Sequence, residues 1–96
     1  MTFYGYDFAS KEHISNERKK IKEAKKTRWW QLKCSKKSCY YCEKTLKQIE
    51  ITMDHIIPIA RGGKTQSGNV VPSCRDCNKN KGVETPVDVI LESLKT

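Results

Sequence analysis

With 96 residues, 36% of them apolar, and a mean hydropathy of −0.74, the chain reads as one small domain that cannot offset its ordering entropy by apolar burial alone. It needs a staple, and five cysteines offer one. The formal charge of +8 points to a polyanionic partner, and no run approaches the ~18 apolar residues that a membrane helix requires, which excludes that class.

Residues 1–10 carry Phe3, Tyr4, Tyr6 and Phe8, which either pack on the domain or stack on bases. No basic stretch followed by an apolar one is found here, so no secretory signal is read. A cytoplasmic setting is expected, where paired thiols bind metal more often than they form disulfides. Ser15 or Asn16 can cap a helix over 15–33, rich in Lys, Glu and Ala. Its apolar positions, Ile21, Ala24, Trp29, Trp30 and Leu32, form a broken stripe with one tryptophan as anchor. Lys19, Lys22, Lys26 and Arg28 belong to the basic surface around it. Residues 1–48 hold 13 Lys and Arg against 5 Asp and Glu, whereas residues 49–96 hold 6 against 6. The surplus forms a basic arm ahead of a neutral module.

Gln48 to Ile57 alternates and is rich in β-branched residues, as a strand should be. Arg61-Gly62-Gly63-Lys64 through Gly68 is loop chemistry. Asn69 to Ser73 reads as a second short strand, with Pro72 near its end. Cys74 to Lys81 is a knuckle leading into a short helix stopped by Gly82. Over 85–95, Thr85-Pro86-Val87-Asp88 opens a last helix whose Val87, Ile90, Leu91 and Leu94 share one face and pack on the core.

The strongest chemical signal is Cys39-x-x-Cys42 with Cys74-x-x-Cys77. Two such pairs bring four thiolates to one ion, the closed tetrahedral set of a structural zinc that does no chemistry itself. Cys34 is the odd thiol, incidental or an alternative to Cys39. Between the pairs lies Asp54-His55. With only two histidines in the chain, His55 is the leading base for work near neutral pH, while His13 reads as a surface residue without a partner. Neighbours on a strand face opposite ways, so Asp54 and His55 share a site only if the backbone bends or a metal sits at the strand edge. Asn78, held by the adjacent ligand Cys77, offers a hard oxygen beside that of Asp54, suited to Mg²⁺ or Mn²⁺. Asn69 is expected to bond backbone, fix the loop and orient His55. Lys81, and less directly Arg61 or Lys79, can contact phosphate.

The stretch Cys39-Tyr-Tyr-Cys42, Asp54-His55-Ile-Ile-Pro-Ile-Ala-Arg-Gly-Gly, Asn69-Val-Val-Pro-Ser-Cys74-Arg-Asp-Cys77-Asn78 and Lys81-Gly82 resembles the HNH endonuclease family in its four-cysteine zinc subtype. The resemblance covers about half the chain and leaves the N-terminal helix without an inherited role. It implies an α+β, zinc-stapled ββα-metal domain over 39–82. It further implies His55 as general base on the first strand, Asn69 as the loop-holding asparagine, and Asp54 with Asn78 around a catalytic Mg²⁺ or Mn²⁺. Asparagine rather than histidine at the third motif position favours those ions over a transition metal. The expected activity is hydrolysis of DNA to 5′-phosphate and 3′-hydroxyl ends, one strand per site, by a monomer or weak homodimer, with RNA left open as substrate. The alternative is a zinc-stapled nucleic-acid-binding module without catalysis.

Overall fold

The computed structural model describes residues 8–81; the aromatic start up to Asp7, the Gly82 stop and the helix expected over 85–95 lie outside them. Three helices and one antiparallel pair of strands make up the regular structure of the described residues, an α+β arrangement. They run α1 (Lys11–Ala24), α2 (Arg28–Cys34), β1 (Thr52–His55), β2 (Val70–Ser73) and α3 (Arg75–Lys81), with 3₁₀ turns at Gln48–Glu50 and Ile59–Arg61.

The helix expected over 15–33 is two helices. Ser10 caps the first, its side chain accepting from His13 N at 3.1 Å, so neither Ser15 nor Asn16 is the start. Thr27 causes the break. Its hydroxyl donates to the Ala24 carbonyl at 2.6 Å and accepts from Trp30 N at 3.2 Å, stopping α1 and capping α2 with one side chain. The short α2 then inserts Trp30 against Val70 and Cys34, with Trp29, Ile51 and Met53 around them. Cys34 is thus a core residue, its thiol pushed up by burial, and stands apart from the four-cysteine cluster.

The strand expected over Gln48 to Ile57 is shorter. Gln48–Glu50 closes a 3₁₀ turn, with the Glu50 carboxylate accepting from Lys47 N at 2.7 Å. Only Thr52–His55 pairs with β2, in the register Thr52↔Ser73, Met53↔Pro72, Asp54↔Val71 and His55↔Val70.

A second apolar group, Cys39, Leu46 and Cys74, lies under the cysteine knuckle and shares Ile51 with the first. Leu46, Val70, Cys39 and Ser73 are the largest side chains buried completely. So thin an interior agrees with the composition. The knuckle is stitched to β2 by Tyr40 N to Pro72 O at 2.9 Å, and its turn closes through Glu43 N to Cys39 O at 2.9 Å.

Helix α1 docks along the loop that follows β1. Ala9 N bonds Ala60 O at 2.7 Å, and His13 Nε2 bonds Gly63 O at 3.0 Å. Glu17 Oε1 accepts from Thr65 N at 2.7 Å. Ala9 lies in the lead-in to α1, and His13 and Glu17 are four apart on one face of it, which makes α1 a fixed part of the domain. His13, read as partnerless from sequence, has a partner here.

Candidate active site

The cysteine pairs converge. The Sγ atoms of Cys39, Cys42, Cys74 and Cys77 all lie within 4.8 Å of one another, and Cys42 Sγ to Cys74 Sγ is 3.9 Å. Tetrahedral zinc with Zn–S near 2.3 Å places sulfurs about 3.8 Å apart, so the spacing fits that ion and is far too long for a disulfide. Burial pushes the Cys39 thiol up, yet the backbone N–H groups of Cys42, Cys74 and Tyr41 outweigh it and bring the pKa down to about 6. Cys77 moves the other way, to about 12, because Cys74 and then burial oppose its ionisation. Four thiolates this close repel, and a divalent ion resolves the conflict by taking all four deprotonated.

The second cysteine pair leads directly into α3, with Asn78 N bonded to Cys74 O at 3.1 Å. That helix sets two side chains over β1. Asn78 Nδ2 donates to Thr52 Oγ1 at 3.1 Å, and Lys81 Nζ lies 3.5 Å from Asp54 Oδ1 and 2.7 Å from the His55 carbonyl. Thr52 and Asp54 are two apart on a strand and share a face, while Asn78 and Lys81 are three apart on a helix and share theirs. Thr52 itself donates to Ser73 O at 2.9 Å, which ties the Asn78 amide to the sheet.

Asp54 is 3% exposed, and its Oδ2 is buried with no hydrogen-bond partner among the described residues. A buried carboxylate oxygen of that kind costs free energy unless a cation reaches it. Oxygen donors from Asp54 and Asn78 suit a hard divalent ion. Tyr41, from the cysteine knuckle, also faces this carboxylate. Burial first, and then Asp54, keep its phenol protonated.

His55 leaves β1 on a different side. Its Nε2 lies 2.8 Å from Thr65 Oγ1, in the loop clamped by α1. The residue is 8% exposed. Burial pushes its pKa below the ordinary value, Asp54 and Glu17 pull it up, and Lys81 pushes it further down. The net shift leaves a neutral imidazole at pH 7, the form a base requires.

Asn69 holds that loop. Its Oδ1 accepts from Ile57 N at 2.9 Å, and its Nδ2 donates to Ile57 O at 3.0 Å and Lys64 O at 2.9 Å. Its grip is on the backbone two residues past His55, not on the imidazole. Gly63 completes the fold of the loop, since a Cβ there would sit 1.7 Å from Ile57 O.

The basic residues divide. Lys19, Lys22, Lys26 and Arg28 are exposed, and Lys26 has only an exposed neighbour, Glu23, at 3.7 Å. Lys79 is also exposed, whereas Arg61 is half-buried and engaged in contacts of its own. Lys81 is turned inward on Asp54 and His55. Glu17, Thr65, Thr52 and Tyr41 were not singled out by sequence reasoning. Only Glu17 had a signal, as an acid spaced four residues after His13 on the inner face of α1.

Residues 39–91, more than half the chain, match the family model described as HNH endonuclease. The protein belongs to the HNH endonuclease family. No curated protein matches the chain. Family membership makes this a nuclease-type domain with nucleic acid as its substrate class, and the four-cysteine cluster is its zinc-compatible staple.

Proposed function

We propose that this HNH domain is a divalent-metal-dependent DNA endonuclease that hydrolyses one strand per site to 5′-phosphate and 3′-hydroxyl ends. The observation that carries the reading is the orphaned, buried Oδ2 of Asp54 on the strand face shared with the Thr52–Asn78 bond. Asp54 and Asn78 would hold Mg²⁺ or Mn²⁺, which when bound supplies charge neutralisation at the scissile phosphate and the departing oxygen. His55, neutral and buried, takes the proton from the attacking water. Asn69 keeps the β1-to-loop backbone in register so that the imidazole is held while the proton moves. Asp54 and His55 are the last two residues of β1 and the chain bends directly after them at 56–57, so the ion-holding carboxylate and the base address one phosphate at the strand's end. The exposed cations of α1 and Arg28 serve to hold the strand. A cytoplasmic setting and a monomer or weak homodimer belong to the same reading.

Nicking of supercoiled plasmid by the zinc-loaded protein, with Mg²⁺ or Mn²⁺ added, tests it. His55→Ala should lower the rate by about 10²–10⁴-fold, and Asp54→Ala should remove the response to added ion. Folded protein that binds DNA and nicks nothing with either ion would make it a zinc-stapled binding module instead.

A further inference from the structure

We propose that Thr65 and Glu17 are positioning residues that fix the tautomer of His55, an inference that rests on His55 being the base. Thr65 has one hydroxyl hydrogen and two neighbours for it. Its Oγ1 lies 3.2 Å from the backbone oxygen of Glu17 and 2.8 Å from His55 Nε2. A carbonyl oxygen can only accept, so both contacts are hydrogen bonds only when the hydroxyl hydrogen points to Glu17. Thr65 must then accept from the ring, and Nε2 carries the proton. The lone pair is left on Nδ1, which makes no hydrogen bond among the described residues. That nitrogen is the one able to receive a proton from water.

The hydroxyl is itself held from behind. Glu17 is 3% exposed and both carboxylate oxygens are engaged, Oε1 by Thr65 N at 2.7 Å and Oε2 by Lys20 Nζ at 2.9 Å. The Lys20 hydrogen bond and then that of Thr65 lower the Glu17 pKa, which keeps the acceptor ionised. Thr65 is therefore fixed through its backbone by the Glu17 side chain and through its side chain by the Glu17 backbone. Glu17 lies outside the segment that matches the family, 39–91, so the orientation of the base is set by a helix added to the family core.

The test is long-range ¹⁵N–¹H NMR of the imidazoles in the zinc-loaded full chain, read beside plasmid nicking. His55 should show a protonated Nε2 and a bare Nδ1. Thr65→Val, close in shape but with no hydroxyl, should shift His55 toward the other tautomer and lower kcat about ten- to hundredfold with KM little changed. Thr65→Ser should restore both. Glu17→Ala, which keeps the Glu17 carbonyl but frees Thr65 N, should give a smaller loss in the same direction. A protonated Nδ1 in the unaltered protein overturns the proposal. So does an unchanged tautomer and kcat in folded Thr65→Val, or failure of serine to rescue. If His55→Ala nicks at the full rate, the base assignment falls, whereas the spectra still decide the tautomer.

Discussion

The ammonium of Lys81 lies 3.5 Å from Asp54 Oδ1 and 2.7 Å from the carbonyl oxygen of His55. It is set against a carboxylate that is 4% exposed at its side chain. Lysine and a divalent ion are therefore alternative ways of compensating the same buried charge. Lys81→Met should lower stability by roughly 1–3 kcal/mol, the cost of leaving a buried acceptor unmet. Mn²⁺ should raise the urea midpoint of this variant more than that of the unaltered chain. Equal shifts in the two proteins would separate Lys81 from the ion-holding carboxylate.

The zinc staple has a direct thermodynamic consequence. A structural Cys₄ site contributes about 10–16 kcal/mol apparent at neutral pH, more than the whole stability of an ordinary small domain. Chelation should unfold the chain, with loss of tryptophan burial at Trp30 and of helical circular dichroism together. Cys74→Ser should do the same. Cys34→Ser should leave the zinc content at one per chain, because Cys34 packs with Trp30 and Val70.

The burial of His55 fixes the direction of the pH dependence. A base works when neutral, so the rate rises with pH through its pKa. Burial holds that pKa below the ordinary 6.5, against the pull of Asp54 and Glu17 and with the help of Lys81. The rising limb of kcat for nicking should have its half-point below pH 6.5, and a bound divalent ion would move it the same way. A half-point clearly above that value would mean that the ring is not in this surrounding when it reacts.

DNA affinity should report the exposed cations alone. Lys19, Lys22, Lys26 and Arg28 are exposed, whereas Lys81 is engaged inside. Four phosphate contacts imply a slope of about −3.6 for log affinity against log salt. Replacing Lys19 and Lys22 with Gln should flatten it by about 2. A slope near zero would take α1 out of the binding surface.

The zinc set, the two strands and α3 were legible because their constraints are local. A Cys-x-x-Cys pair fixes its own spacing, and Asn78 follows a ligand directly. The split of the first helix was hidden because Thr27 lies between good helix formers, and only its bonds to Ala24 and Trp30 show it ending one helix and capping the next. The docking of α1 was hidden for another reason. Its inner face is partly polar, with His13 and Glu17 meeting backbone of a distant loop, and hydrophobic periodicity is blind to such contacts. Only the bonded structure reveals that a residue as polar as Glu17 is interior.

Three successive attachments, Ala9 to Ala60, His13 to Gly63 and Glu17 to Thr65, rivet α1 and its lead-in to the loop beside the imidazole. On the proposed reading, a strand held on the outer side of that helix would meet the imidazole at a constant offset. The molecule would then work as a ruler with a blade fixed to it, the interval between grip and cut set by the fold.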